Sequence, residues 1–456
     1  MAIEEVARIL GARSVRPNAG SCRLVATDTR ENIAGALFVA LRGERTDGHL
    51  FVAEAFERGA AAALVEREVP DAPGPQLVVP DTRRALLALA GAYRRRFTLP
   101  VVAVTGSVGK TSTKAMTALV LASLGPVHAN PGNFNNEIGV PRTLFGIERH
   151  HRAAVVELAM RGAGQIAELA AAVCPTVGIV TNIGMTHIEL LGSRDNIAAA
   201  KAELVTALPP GGVAILNADD DYAGYLRARA SCKVITFGVR TSADFQVADV
   251  RFGEDGTPQF RVNGVPVRLR VPGVHHLPNA AAAFAAGAAL GVDLQKAAAA
   301  LEDFRPPAMR MEVRQLPGGV LLLDDAYNAA PDSMKAALNT LSILGKGRRK
   351  LAVLGDMKEL GAWSREAHEY VGAAAADVHV DLLVAVGAEA AHAAKVVEQR
   401  LGVGRCLTYP HTDAAAEAIS GLVRSGDAVL VKGSRAMGME RIVAALESAR
   451  CSAAEP

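Results

Sequence analysis

At 456 residues the chain has room for about three domains, taking about 150 residues for each. Half of the residues are hydrophobic but only 4% are aromatic, so an ample core is expected and it must be mostly aliphatic. A formal net charge of +2 excludes partners that recognise overall charge, namely nucleic acid and a membrane surface, and any important positive charge must be local.

Residues 1–5 are acidic and amphipathic, unlike a secretion signal. Residues 1–97 read as a small α/β domain, with strands at 24–26, 36–40, 62–65 and 77–79 and helices at 50–58 and 82–96. Asp28-Thr29-Arg30 and Gly43-Glu44-Arg45-Thr46-Asp47-Gly48-His49 are polar stretches beside strands. They are either solvated loops or the rim of a ligand site, with Arg30 offered to an anion.

A second domain spans 98–311. The apolar run Val101-Val102-Ala103-Val104 enters Thr105-Gly106-Ser107-Val108-Gly109-Lys110-Thr111, and a helix over 111–124 follows. Strand, glycine turn and helix N-terminus together make a phosphate cradle. Lys110 can neutralise phosphate, and the Thr111 hydroxyl can ligate Mg²⁺. Val104 stands where the commonest phosphate loop has glycine. Further strands at 154–158, 177–183, 212–216 and 233–237 alternate with helices at 164–173, 195–208 and 221–230, the pattern of a mostly parallel sheet. Asp255-Gly256 and Asn263-Gly264 signal hairpins within 244–271. The alanine-rich run after Asn279 reads as a core helix rather than a membrane span.

After Phe304-Arg305-Pro306-Pro307 a Rossmann-like third domain is expected over 312–456. Its strands fall at 320–324, 350–354, 382–386 and 428–432, with helices at 332–344, 365–377, 389–400, 413–424 and 436–448. Polar motifs close several of these strands, where such sheets bind ligands. The five cysteines are scattered without a C-x-x-C pair, which implies free thiols, a reducing cytoplasm and no zinc finger.

Several residues could carry chemistry. Glu157 ends a strand and suits a metal. His187 is either a site residue or a loop histidine bonded to backbone. Lys201 reads by itself as a solvated helix lysine, since an ammonium cannot ligate a metal. Asn133-Phe134-Asn135-Asn136 is either a structural turn or a reader of sugar and pyrophosphate edges. His275 lies just outside the helix that Pro278 and Asn279 open, as cap or as ligand.

In chain order, Thr105 to Thr111, Gly132-Asn133-Phe134-Asn135-Asn136-Glu137-Ile138-Gly139-Val140-Pro141, Thr181-Asn182-Ile183-Gly184-Met185-Thr186-His187, Ala200-Lys201-Ala202-Glu203, Asp325-Ala326-Tyr327-Asn328, Gly355-Asp356-Met357-Lys358-Glu359-Leu360-Gly361 and Lys432-Gly433-Ser434-Arg435 resemble the Mur ligase family. The resemblance covers nearly the whole chain. It is nearest to the branch that joins D-alanyl-D-alanine to UDP-N-acetylmuramoyl-tripeptide in peptidoglycan synthesis. The chain lacks the Asp-Asn-Pro-Arg run usual in the branch that adds the third residue.

The resemblance implies three α/β domains, a UDP-substrate domain, a central ATP domain and a C-terminal domain for nucleotide and dipeptide. It implies an ADP-forming ligase acting through an acyl phosphate, with ATP and two Mg²⁺ ions, cytoplasmic and monomeric. ATP would lie on Thr105 to Ser112, His275, Asn279, Arg310, Asp325 and Asn328, with Lys110 on the β- and γ-phosphates. Thr111, Glu157, His187 and Lys201, the last carbamylated by CO₂, would hold metal. Thr29, Arg30, Asp47, Gly48, His49, Asn135 and Asn136 would meet the UDP substrate. Two departures stand out: Ala330 replaces a frequent asparagine, and Met309 precedes Arg310 where glycine is common. The alternatives are a Mur-type ligase with a different amine substrate and a phosphate-loop switch protein that is no ligase.

Overall fold

A computed structural model of the chain describes residues 1–43, 46–253 and 255–452, the last three by backbone alone. Glu44, Arg45 and the side chain of Cys451 therefore lie outside the described residues. The chain divides into two compact units, one of Met1–Ala103, Gly125–Met160 and Gln165–Thr176, the other of Val104–Leu124, Arg161–Gly164 and the chain from Val177 onward.

The first unit holds a five-stranded sheet in the order Arg13–Val15, Gln76–Val78, Ala62–Val65, Ala36–Val39, Leu24–Ala26. Its first pairing is antiparallel and the rest are parallel. Alternation along the strands sends side chains to two cores. Leu37, Val39, Leu64 and Leu77 meet Leu86 and Leu89 of helix Thr82–Arg94 on one face. Phe38, Ala63 and Val65 meet Val52 and Ala55 of helix Val52–Glu57 on the other. Asp81 caps helix Thr82–Arg94 by accepting from the Arg84 amide. At its far end buried Arg94 donates to the carbonyls of Val173, Phe97 and Leu99, fixing the chain where it leaves the helix. The unit also carries Val127–Ala129 paired in parallel with Ala153–Glu157.

The second unit holds two sheets. In one, Val177–Val180, Val213–Asn217, Lys233–Gly238 and Phe245–Phe252 run parallel. Pro258–Val262 and Val265–Arg268 then add antiparallel pairings. Asn263 and Gly264 take positive φ, as the tight turn between those two strands requires. Helix His276–Ala289 is buried along most of its length, and among the described residues no helix is long and apolar enough to cross a membrane.

The other sheet runs Glu312–Leu316, Val320–Asp325, Ala428–Lys432, Lys350–Gly355, Leu382–Val386, Cys406–Tyr409, with only the first pairing antiparallel. The two outermost strands escaped the sequence reading. The expected strand 177–183 stops at Val180, because residues 181–184 turn onto the glycine loop. The helix expected at 436–448 begins at Glu440, after a short 3₁₀ turn at Arg435–Met437.

Candidate active site

Strand Val101–Thr105 is wholly buried and ends in the loop that precedes helix Lys110–Leu121. Gly106 sits at φ 146°, and a Cβ there would overlap the Thr181 hydroxyl at 1.8 Å. Gly109, at φ 84°, would meet Asn279 Oδ1 at 2.6 Å. Both positions exclude a side chain. Residues 181–184 hold the loop from one side. The Ser107 amide donates to the Asn182 carbonyl (3.0 Å) and the Val108 amide to Asn182 Oδ1 (2.9 Å). Thr181 Oγ1 and Asn182 Nδ2 both donate to the Val108 carbonyl (2.6 and 3.1 Å), and the Gly184 amide donates to Ser107 Oγ (2.8 Å). Asn182 is thus a loop-shaping residue, visible beforehand only as part of a motif.

Lys110 curls back over the loop, its Nζ donating to the carbonyls of Gly106 (2.7 Å) and Ser107 (3.2 Å). The first turn of its helix carries no acidic residue. The helix dipole and the lysine therefore present one sign of charge. Thr111 and Ser112 are buried in that turn.

Lys201, in helix Arg194–Thr206, is only 2% exposed. The reading of a solvated helix lysine is corrected. Among the described residues no carboxylate pairs with it. Burial, and next the charge of Lys110, push its amine well below the usual lysine range. His187 also sits below its ordinary range. Burial is the main cause, with Lys110 and Lys201 adding to it and Glu359 opposing. Lys110, His187 and Lys201 thus lie within electrostatic reach of one another. His187 Nδ1 donates to the Glu359 carboxylate, so the loop histidine is bonded to a side chain rather than to backbone.

A second cluster lies at the ends of the C-terminal strands. Lys432 Nζ donates to Asp325 Oδ2 (2.6 Å) and to the Asn328 carbonyl (2.8 Å), and Asp325 Oδ1 accepts from the Met311 amide. Arg310 lies over the Tyr327 ring, 4.2 Å from its centroid. Burial carries half-buried His275 down to about 4, with Asp325 opposing and Lys432 assisting. Its ring does not cap the helix. Its carbonyl accepts from Asn279 Nδ2 (3.1 Å), and Asn279 Oδ1 accepts from Thr113 Oγ1 (3.2 Å), which links His275 to the phosphate-loop helix. Met309 takes φ 59°, in the left-handed region that favours glycine. Ala330 is the N-cap of helix Pro331–Leu344 and has no side-chain oxygen to offer, so Ser333 Oγ accepts the Ala330 amide instead.

In the first unit, Glu157 Oε1 accepts from Asn135 Nδ2 (2.7 Å). Asn130, which sequence reasoning missed, accepts from the Glu157 amide and donates to the Phe134 carbonyl. It ties the strand end to the asparagine loop, but a single buried asparagine carries no signal in sequence. Asn136 Oδ1 accepts from the Gly139 amide (2.9 Å) and opens helix Gly139–Phe145.

Also in the first unit, Thr29 is buried, and exposed Arg30 forks onto Asp28, holding that carboxyl down at about 2. Asp47 accepts from the His49 amide and ring and from Arg67, while His49 Nε2 accepts from the Glu66 amide. A Cβ on Gly48 would lie 2.7 Å from the Leu41 backbone. Asp47, Gly48 and His49 thus form one tightly bonded turn.

The Mur ligase middle domain model matches residues 104–287, the Mur ligase glutamate ligase domain residues 309–435, and the Mur ligase family catalytic domain residues 22–94. The UDP-N-acetylmuramoyl-tripeptide–D-alanyl-D-alanine ligase of Bacillus subtilis (strain 168) is 39% identical over 424 residues, 92% of each chain. That of Escherichia coli (strain K12) is 39% identical over 93% of each. A crystal structure of MurF from Acinetobacter baumannii superposes with a TM-score of 0.91 at 33% identity, over 98% of each chain. MurF from Thermotoga maritima in complex with ADP gives 0.84 at 28% identity, over 95% of this chain and 99% of that one. This chain belongs to the Mur ligase family.

Proposed function

We propose that the chain joins D-alanyl-D-alanine to UDP-N-acetylmuramoyl-tripeptide at the expense of ATP, releasing ADP and phosphate. The observation that carries this reading is the 39% identity with ligases of that name over nine-tenths of the chain. The phosphate loop on its buried strand supports the nucleotide part. We assign residues 1–97 to the UDP substrate, 98–311 to ATP, and 312–456 to nucleotide and dipeptide. In the first step the peptide carboxylate takes the γ-phosphoryl group, giving an acyl phosphate. In the second the dipeptide amine attacks its carbonyl carbon, and phosphate leaves.

A carboxylate approaching a triphosphate is repelled, so the loop must supply positive charge. Lys110 and the N-terminus of its helix do this, and one such charge stabiliser is worth ~2.7–4 kcal/mol, or about 10²–10³ in rate. On this reading ATP rests on residues 105–112, with His275, Asn279, Arg310, Asp325 and Asn328 around it. Thr29, Arg30, Asp47, Gly48, His49, Asn135 and Asn136 serve the UDP substrate.

The donor set also suits Mg²⁺. Among the described residues no three His, Cys, Asp or Glu side chains converge to hold a metal. Mg²⁺ is usually held by one or two protein oxygens plus phosphates and water, so a sparse donor set fits it. Thr111, Glu157 and His187 would hold it, and when bound it would offset charge on the transferring phosphoryl group. A buried lysine held below its usual range gives up its proton more readily than an exposed one. Lys201 Nζ can then attack CO₂, lose a proton and become a carbamate, whose anionic oxygen can join those donors.

The test is ADP release measured with the UDP-tripeptide, with and without D-alanyl-D-alanine. Turnover that requires both substrates is expected. Slow hydrolysis indifferent to the dipeptide would replace this reading with a nucleotide switch, and turnover only with another amine would replace the dipeptide.

A further inference from the structure

Two non-glycine residues of the second unit face each other with left-handed backbones, His187 at φ 67° and Glu359 at φ 63°. Such conformations cost free energy and persist where the surroundings hold them. Here both sides are held. On the C-terminal sheet, the residues leading to Glu359 are anchored one after another. Asp356 accepts from the Ala390 amide, the Met357 amide donates to His368 Nε2, and the Lys358 amide donates to Ser434 Oγ. On the other side, the Ile183 amide donates to Asp220 and Arg194 donates to the Ile183 carbonyl. The two segments then meet. The Glu189 amide donates to the Glu359 carbonyl (3.2 Å), and a Cβ on Gly361 would lie 3.1 Å from Glu189 Cγ. In the middle of this contact His187 Nδ1 reaches the Glu359 carboxylate.

We propose that Glu359 is a positioning residue for His187: its carboxylate accepts the Nδ1–H hydrogen bond, keeps the proton on Nδ1 and so leaves Nε2 as the nitrogen that can bind a divalent cation. Metal-binding histidines generally donate their other ring N–H to such a carboxylate, which fixes tautomer and ring orientation. What distinguishes this pair is its origin. The histidine belongs to the segment that shapes the phosphate loop, and the carboxylate belongs to the C-terminal sheet. The histidine is therefore oriented only while those two segments touch, and cation affinity is linked to the seating of the C-terminal sheet. The proposal rests on the reading of His187 as a metal-binding residue.

The experiment compares native protein with Glu359→Ala, Glu359→Gly and Glu359→Gln. In the metal-free protein, the ¹⁵N shifts of the His187 imidazole should report the Nδ1–H tautomer in the native chain and in Glu359→Gln, whose amide oxygen still accepts. They should report its loss in the other two. The Mg²⁺ concentration for half-maximal ADP release should rise about 10–100-fold in Glu359→Ala and Glu359→Gly, a larger change than any in kcat, with Glu359→Gln near native. Glycine accepts the left-handed backbone without strain, so an effect shared by Glu359→Gly and Glu359→Ala is not misfolding. Unchanged tautomer and Mg²⁺ dependence in both would overturn the proposal. So would a Glu359→Gln variant as impaired as Glu359→Ala, which would point to charge alone. If the native protein shows no substrate-dependent ADP release, the ligase reading fails, while the tautomer comparison still decides the role of Glu359.

Discussion

A lysine buried without a counter-ion must be explained by what it does, since it weakens the fold. Holding the Lys201 ammonium where it is 2% exposed costs desolvation, and Lys110 adds repulsion. Lys201→Met keeps the stem, removes the amine and should raise the thermal midpoint. The same change should lower ligase activity about 10²–10³-fold, the scale of losing one charge stabiliser. Lys201→Ala should lose activity similarly and recover part of it with bicarbonate or a short carboxylic acid, which can place an oxygen donor in the vacated space. Full activity in either variant would sink the carbamate. This burial was not legible beforehand. Lys201 stands in Ala198-Ala199-Ala200-Lys201-Ala202, where small side chains on every side give the helix no readable polar face. Glu157 and the glycine loop were legible because they end apolar strands, and strand ends are where parallel sheets place their chemistry.

Elements were legible where burial on both faces writes a continuous aliphatic run. Val101–Thr105, Ala428–Lys432 and Leu382–Val386 are buried at every residue, and their bounds were nearly those expected. Glu312–Leu316 and Cys406–Tyr409 lie at sheet edges and are mostly half-exposed or exposed. Their polar residues resemble loop, because only the neighbouring strand makes them strands. Helix ends follow local rules more closely. Helix Ser364–Asp377 closes with the His379 amide donating to the Ala376 carbonyl (2.9 Å) and the Val380 amide to the Ala375 carbonyl (3.2 Å). That bonding pattern places His379 in the left-handed region, at φ 52°. A side chain there costs about 1–2 kcal/mol, and glycine returns about 0.5–1 of this through its freer unfolded chain. His379→Gly, at an exposed site, should therefore stabilise the protein by about 0.5–1 kcal/mol net. Urea unfolding can measure this, and a lower midpoint would show that the ring's bond to the Asp377 carbonyl outweighs the backbone strain.

For the whole molecule, buried and half-buried histidines set the response to acid. His128, His151, His187, His275, His276 and His368 all fall below the ordinary histidine value, with burial the largest cause in each. A depressed folded pKa means that the unfolded chain binds protons first as pH falls. Stability is then complete above about 6.5 and is lost below it, down to about 4 for His275. Each histidine that stays neutral between pH 7.5 and 5.5 should cost about 1.4 kcal/mol over that interval. Asp220 and Asp324 are raised by burial and act in the opposite direction, but carboxylates titrate mostly below this window. His276 offers the cleanest check. Neither of its ring nitrogens has a partner, and it meets the Phe304 ring edge-on at 5.3 Å. His276→Phe should leave stability at pH 7.5 equal or higher, since it removes buried polar atoms that gain nothing. It should also flatten the loss between pH 7.5 and 5.5. Denaturant melts of both proteins at the two pH values decide the matter. An identical acid loss would mean that His276 takes up its proton within the folded chain, and that its burial does not govern its charge.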